Sequence, residues 1–310
     1  LCYFGLNDFH NGYKYYEFRK EKMQPKEKTL EVQNKYKCSE WLGESLNGKK
    51  ILIITEQGIG DNIQYFRYLF MLEEKFKVKV IFYVSKKLLH LFKNSPFEIV
   101  SNLNGINDID YYQHLMSLPG IFYKEKKKFG KCINYIKPEN NNDLKWKKKL
   151  NSLKRPIIGL NWQGDKNYLS DDTRSVSLSL FKNILNYKNC TFISLQKGFG
   201  SEQIKLYNFS NSIVDLSNDI DLGDSAFEDT ISILKNIDLL ITSDTSICHL
   251  AGTLNVKTCL MLSYNPDWRW FIELKDKCFY PSMKIIQQNS SDDWSSVMKE
   301  IHLYLQNEIF

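Results

Sequence analysis

Two stretches of this sequence put glycine, acidic and hydroxyl residues where an apolar run gives way to a helical pattern. The first is Glu56-Gln57-Gly58-Ile59-Gly60-Asp61-Asn62-Ile63-Gln64. Two glycines let a backbone turn tightly and approach a ligand, and the helix that follows offers unpaired N–H groups to an anion. Ile63 stands where a dinucleotide-binding G-x-G-x-x-G needs its third glycine, and the G-K-[ST] of a P-loop is missing. Asp61 is the informative departure. A carboxylate there repels a phosphate but suits a general base facing a hydroxyl; the same group could simply cap the helix.

The second stretch is Asp238–Leu254, in which an apolar run ends at Ser243-Asp244 and a helix opens with Thr245 and Ser246. His249 follows four residues after Thr245, one turn along. Two hydroxyls, an open helix end and a histidine make a metal-free cradle for a diphosphate. The plainer alternative is a helix cap and a histidine packed in the core.

Three further segments are candidates. Ser194-Leu195-Gln196-Lys197-Gly198 runs from a strand into a glycine turn, so Lys197 could meet a phosphate as a point charge or stay a solvated loop lysine. Tyr264–Phe271 gathers Asp267, Trp268, Arg269 and Trp270, which suits stacking on a sugar or base and suits domain packing equally. Arg174 follows Asp171-Asp172-Thr173 and could hold a phosphate or pair with those carboxylates. The triplets Asp108-Ile109-Asp110 and Asp219-Ile220-Asp221 invite a metal, but neither follows a buried strand with a glycine turn, and no metal is expected.

Strands alternating with helices must position these loops. Lys49–Thr55 is a continuous apolar run of the kind buried on both faces of a parallel sheet. Helix Asn62–Lys75, strand Val78–Val84, helix Lys86–Lys93 and strand Phe97–Val100 follow, and the pattern blurs from 101 to 140. A second series has strands at Ile157–Trp162, Thr191–Gln196, Ser212–Leu216, Asp238–Ser243 and Lys257–Leu262, with helices near 178–187, 201–208, 226–236, 245–254 and 292–307. The charged run Asn140–Lys154 reads as the boundary between them. The expected organisation is a helical segment at 1–47, with one amphipathic helix over 1–22 and irregular chain after it, then doubly wound α/β halves at 48–150 and 151–310. Two such halves imply a cleft, with ligands at the carboxyl ends of the strands.

Composition narrows the classes. The 310 residues are 43% hydrophobic and 25% charged, which excludes disordered and fibrous chains. Lys+Arg 42 against Asp+Glu 36 leaves +6, a mild excess that fits a small anion better than nucleic acid. Only five of the 42 are arginines, so an arginine in a loop is less often filler. Seven widely spaced cysteines without C-x-x-C suggest a reducing compartment, read as cytoplasmic, and no apolar stretch is long enough to span a membrane. The sequence opens on Leu1 rather than Met, which suggests a piece of a longer chain.

With its loops in this order, the sequence resembles the glycosyltransferase domain of bacterial tetratricopeptide-repeat proteins. That domain is related to family nine glycosyltransferases (the heptosyltransferases) and, more distantly, to O-linked N-acetylglucosamine transferases. The resemblance rests on Glu56–Gln64, Ile158–Gly164 (which includes Trp162), Arg174–Leu178, Ser194–Gly198, Leu240–Gly252, Tyr264–Trp270 and Tyr280–Met283. It implies a GT-B fold with an acceptor domain at 48–150 and a nucleotide-sugar domain at 151–310. The segment 1–47 would be the remnant of a repeat array. The implied activity is metal-independent, inverting transfer from a nucleotide-diphosphate sugar to a protein or surface-glycan hydroxyl. Asp61 would be the base, while Gln196, Lys197, Asp244, Thr245, Ser246 and His249 would hold the donor. Gly58, Gly60, Gln64, Trp162, Arg174, Asp267, Trp268 and Arg269 would line the acceptor side or cleft. The family's D-T-G-x-x-H donor motif carries Ser246 in place of glycine here. The rivals are a nucleotide- or glycan-binding module without turnover and a sugar-nucleotide epimerase using Asp244 and Asp267.

Overall fold

The computed structural model describes residues 2–22, 26–123, 134–270 and 279–310. The chain divides into two compact units, Leu1–Ile136 and Lys137–Phe310.

The first unit is built on five parallel strands: β1 (Ser39–Glu40), β2 (Lys50–Ile54), β3 (Lys79–Tyr83), β4 (Glu98–Val100) and β5 (Tyr111–His114), in the order β1-β5-β2-β3-β4. Ile51, Leu52, Ile53 and Ile54 are wholly buried, as a continuous apolar run requires when both faces of a strand are covered. Register pairs Ile54 with Tyr83 on one side and with His114 on the other, so three carboxyl ends finish level. From β2 the chain steps outward to β3 and β4, then returns to β5 on the opposite side. The point of reversal, between β2 and β5, is where open α/β sheets form their ligand crevice.

The N-terminal segment differs from the expectation of a single helix. It forms α1 (Cys2–Gly5), α2 (Phe9–Tyr16) and α3 (Arg19–Lys22). Asn7 takes a left-handed φ of 59°, and the Asp8 carboxylate accepts the Asn11 amide at 3.1 Å, starting α2 afresh. Residues 26–36, expected to be irregular, are helix α4 (Lys26–Tyr36). Tertiary docking fixes it: Val32 is wholly buried with Leu52, Ile54, Ile81 and Tyr112, and Gln33 Nε2 donates to the Tyr112 hydroxyl at 2.7 Å. After β2 the chain forms α5 (Ile59–Tyr65) and a separate helix, Tyr68–Phe76, in place of one long helix.

The second unit has six parallel strands: β6 (Ile157–Asn161), β7 (Thr191–Ser194), β8 (Ile213–Asp215), β9 (Leu239–Ser243), β10 (Thr258–Leu262) and β11 (Met283–Gln287), in the order β11-β10-β9-β6-β7-β8. Read from β8, this is the third-second-first-fourth-fifth-sixth order of dinucleotide-binding sheets, with its switch point between β6 and β9. Asn161 pairs with Thr242 there. The core joins Leu160, Trp162, Phe192, Ile241 and Met261 to the helix Trp294–Glu308. The helix Asn140–Leu150, read from sequence as the end of the first domain, packs within the second unit. Trp146 is wholly buried and its indole N–H donates to Asp229 Oδ1 at 2.5 Å.

Among the described residues no helix is long and apolar enough to cross a membrane. Cys2, Cys38, Cys190, Cys248 and Cys259 are free thiols, while Cys132 and Cys278 lie outside the described residues.

Candidate functional site

At the switch point of the first sheet, the chain leaves β2 through Thr55, Glu56 and Gln57 and enters α5 at Gly58. The Gly58 amide donates to Asp61 Oδ2 at 2.8 Å, which is the helix-capping alternative realised. Asn62 Nδ2 donates to the Gly58 carbonyl at 3.0 Å. A Cβ on residue 58 would stand 3.2 Å from Asp61 Oδ2, so glycine leaves the carboxylate room to approach the backbone. Gly60 is the second residue of α5. Asp61, Asn62 and Gln64 are all buried. Gln64 is 0% exposed, and neither polar atom of its amide has a hydrogen-bond partner among the described residues. A buried amide left this way costs about 1–3 kcal/mol, which a bound hydroxyl or water would recover. The turn therefore holds one carboxylate oxygen of Asp61 on the Gly58 amide, three residues before the buried Gln64 amide.

At the switch point of the second sheet, Asn161 Oδ1 accepts the hydroxyls of Thr242 at 3.2 Å and Thr245 at 2.8 Å. Asn161 Nδ2 donates to Gln196 Oε1, which also accepts the amides of Trp162 and Gln163. The Gln196 amide donates to the carbonyls of Gln163 and Phe199. Gln196 is thus a fully engaged clasp between the ends of β6 and β7. Trp162 is wholly buried, its indole N–H on the Gly200 carbonyl at 3.2 Å, so its ring packs in the core instead of lining a surface. The Lys197 ammonium is engaged by the carbonyls of Ile220 and Asp221.

Thr245 caps the eight-residue helix Ser246–Thr253 in extended conformation, leaving first-turn amides for an anion. Arg174 stands at this helix end: Nη1 donates to the Asp244 carbonyl at 2.9 Å and Nε to Asp171 Oδ1 at 3.0 Å, with the guanidinium 4.3 Å from the centre of the Tyr168 ring. Gly164 makes the room. A Cβ there would fall 2.2 Å from Asp171 Oδ1 and 2.5 Å from Arg174 Nη2. His249 is buried, stacked on Trp270 at 5.3 Å between ring centres, with Nδ1 3.1 Å from the Tyr280 hydroxyl. Burial, with the neighbouring Asp267 carboxylate adding to it, pushes the Asp244 carboxyl up to about 6; Arg269 and Arg174 pull the other way. Asp267 pairs with Arg269 at 3.3 Å, and Arg269 lies over the buried Trp268 ring. Phe271 lies outside the described residues.

Asp244, Cys248 and His249 bring one potential ligand atom each within 4.8 Å of one another. The start of a helix and two guanidiniums surround them, a field that favours an anion over a dication. Three of the four carboxylates of the two D-x-D triplets are engaged structurally, and the fourth residue, Asp108, is exposed. Asp110 accepts the Lys50 amide and pairs with Lys49, Asp219 pairs with Lys149, and Asp221 accepts the Asp229 and Thr230 amides.

Sequence reasoning quoted Asn161, Gly164 and Glu56 within its motifs but gave none of them a role of its own. Asn161 and Glu56 are polar residues at the ends of apolar strands, where a buried polar side chain needs partners. That is the signal that marks them.

No family model matches the chain. Protein FlbA from Caulobacter vibrioides is 20% identical over 294 residues, a match taking in 86% of this chain and 48% of FlbA. The chain thus spans about half the length of the curated relative it matches. Three solved structures share its architecture. The E. coli ADP-heptose lipopolysaccharide heptosyltransferase II has a TM-score of 0.55 at 11% identity, over 84% of this chain and 99% of that one. A family 9 glycosyltransferase from Veillonella parvula has a TM-score of 0.59 at 9% identity, over 85% and 97%. The E. coli heptosyltransferase WaaC with ADP has a TM-score of 0.52 at 8% identity, over 83% and 99%. At identities this low the likeness is one of fold. The chain has the α/β architecture of GT-B type, with two parallel sheets, that these glycosyltransferases share.

Proposed function

We propose that the chain is an inverting glycosyltransferase that takes a nucleotide-diphosphate sugar as donor and a hydroxyl as acceptor, without a metal. Asp61 accepts the proton of the acceptor hydroxyl as its oxygen bonds to the anomeric carbon; the anomeric C–O bond to the diphosphate breaks, and the electron pair leaves with the phosphate. The observation that carries this reading is Arg174 Nη1 on the Asp244 carbonyl, at the head of the helix Ser246–Thr253. It supplies a cation, free amides and the Ser246 hydroxyl at one point, which is what a departing diphosphate needs. In this reading Arg174 provides the charge expected of Lys197, whose ammonium caps the 220–221 loop. Base assistance from Asp61 contributes roughly 10²–10⁴-fold. The protein or surface-glycan acceptor, the relation to tetratricopeptide-repeat and O-linked N-acetylglucosamine transferases and the cytoplasmic setting belong to the same proposal. Contacts with repeat helices would fall on the N-terminal helices, where Tyr3, Tyr15 and Phe18 are exposed.

A second reading has one observation in its favour: Asp244 and Asp267 repel each other and Asp244 is pushed up to about 6, as proton shuffling in an epimerase would use. The test is a thermal-shift screen of ADP, GDP, UDP and CDP and their sugars. The best stabiliser is then followed by chromatography with a hydroxyl acceptor. Release of nucleoside diphosphate with an inverted glycoside is the expected result. A changed sugar still on its nucleotide would mean an epimerase, and stabilisation without either product a binding module.

A further inference from the structure

The buried ion pair of the first unit joins two segments 37 residues apart in the chain. Arg19, on α3, and Glu56, just after β2, are 7% and 4% exposed. The pair is two-pronged: Nη2 reaches Oε1 at 2.6 Å and Nε reaches Oε2 at 3.2 Å. Nη2 also donates to Ser117 Oγ at 2.9 Å, and Nη1 to Glu17 Oε1 at 2.8 Å. The Met116 amide donates to Glu56 Oε1 at 3.1 Å, closing the network on the loop that follows β5.

The next residue, Gln57, has φ of 59°, a left-handed conformation that a residue with a side chain keeps only when its surroundings hold it. Gln57 Nε2 donates to the Tyr16 hydroxyl at 2.7 Å, and the Arg19 guanidinium covers the Tyr16 ring at 4.6 Å. Two residues of the N-terminal helices, three apart, therefore grip two consecutive residues of the turn. Gly58, the partner of Asp61, comes next.

We propose that Tyr16 and Arg19 are positioning residues that hold the 56–58 turn in its left-handed form and thereby aim the Asp61 carboxylate. The catalytic consequence rests on the reading of Asp61 as the base, whereas the mechanical link stands without it. The N-terminal helices become part of the site, since a load on them reaches the turn that carries Asp61 through the Arg19–Glu56 pair and the Tyr16–Gln57 hydrogen bond.

Amide hydrogen exchange on the full chain tests the link without a ligand. In Arg19→Ala, the amides of Gly58 and Asn62, which donate to Asp61 Oδ2 and to the Gly58 carbonyl, should exchange at least about tenfold faster while those of Lys79–Tyr83 change less than about twofold. Arg19→Lys, which keeps the charge but loses the fork, should fall between. Tyr16→Phe, which removes one hydroxyl and serves even if Arg19→Ala fails to fold, should loosen Gln57 and Gly58 alone. Selective carbon-13 labelling of aspartate, with the Asp61 resonance assigned by its loss in Asp61→Asn, should show that carboxyl at a changed chemical shift in Arg19→Ala. Unchanged exchange in the turn, or acceleration of the turn and β3 together as a merely structural role would give, overturns the proposal. Transfer surviving in Asp61→Asn would instead overturn the base reading and leave the exchange result standing.

Discussion

Asp61 Oδ2 and the Gly58 amide are 2.8 Å apart, and a methyl group on residue 58 would meet that same oxygen at 3.2 Å. Helix capping and the placing of the carboxylate are therefore one contact. Gly58→Ala is compatible with the local φ of −78°, so the variant should fold with its melting temperature nearly unchanged. The carboxylate must move by a few tenths of an ångström, and transfer should fall about tenfold or more, because small misplacements of reacting groups are costly. Steady-state rates beside a melting curve check this; a large loss of stability with no specific loss of rate would contradict it.

Arg174 depends on Gly164 for its position. Gly164→Ala would drive a methyl group into Asp171 and Arg174 and displace the guanidinium from the helix end. Nucleoside diphosphate affinity, measured with ADP by calorimetry, should drop by about tenfold or more in Gly164→Ala and in Arg174→Ala, since a charge-assisted contact is worth roughly 1.5–3 kcal/mol. Lys197→Ala should change affinity far less, because its ammonium already serves the carbonyls of Ile220 and Asp221.

His114, at the end of β5, is 3% exposed, and burial, with Lys20 and Arg19 nearby, lowers its pKa from 6.5 to about 3. The unfolded chain protonates first, so stability present above pH 6.5 is lost as the pH falls toward 3. Between pH 7 and pH 4 this group should cost the fold about 2–3 kcal/mol. His114 Nε2 lies 3.0 Å from the Thr29 hydroxyl, and His114→Gln, which keeps a partner for that hydroxyl, should flatten that part of the profile. Denaturant unfolding of both proteins at several pH values is the check, and identical slopes would rule the contribution out.

Asp244 works in the opposite sense. Its carboxyl is raised by burial and by Asp267, so it is largely neutral at pH 5 and charged at pH 7. A negative charge beside the helix Ser246–Thr253 opposes a diphosphate, so ADP affinity should weaken as the pH rises through about 6. The terminal phosphate of ADP also ionises near pH 6 and acts on both proteins alike, so the ratio of Asp244→Asn to wild-type affinity should rise through that range; a ratio that stays constant would contradict the expectation.

The sheets were largely readable because β2, β6, β9 and β10 are apolar runs buried on both faces, bounded by polar or glycine residues. What escaped reading was decided by tertiary contact. β5, Tyr-Tyr-Gln-His, carries no apolar run and exists because Ile51–Ile54 pair with it and Trp41 accepts the Gln113 amide. α4 sets Leu30, Val32 and Tyr36 on a charged background without a helical stripe, and its docking through Val32 and Gln33 orders it. β11 alternates too weakly to declare itself without β10 beside it. At the sites the loops were legible from glycine, hydroxyl and acidic residues at strand ends. The division of labour within them was not, because Arg174 and Lys197 are equally cationic in sequence and differ only in what already surrounds them.

One comparison decides whether the Gly58–Asp61 turn does the chemistry. Asp61→Asn and the wild type would be assayed side by side for transfer from whichever nucleotide sugar stabilises the fold most, with ADP affinity measured on both. Transfer should fall by a factor of about 10² or more with ADP affinity held within a few-fold; transfer at the wild-type rate would remove Asp61 from the reaction and leave the turn a helix cap alone.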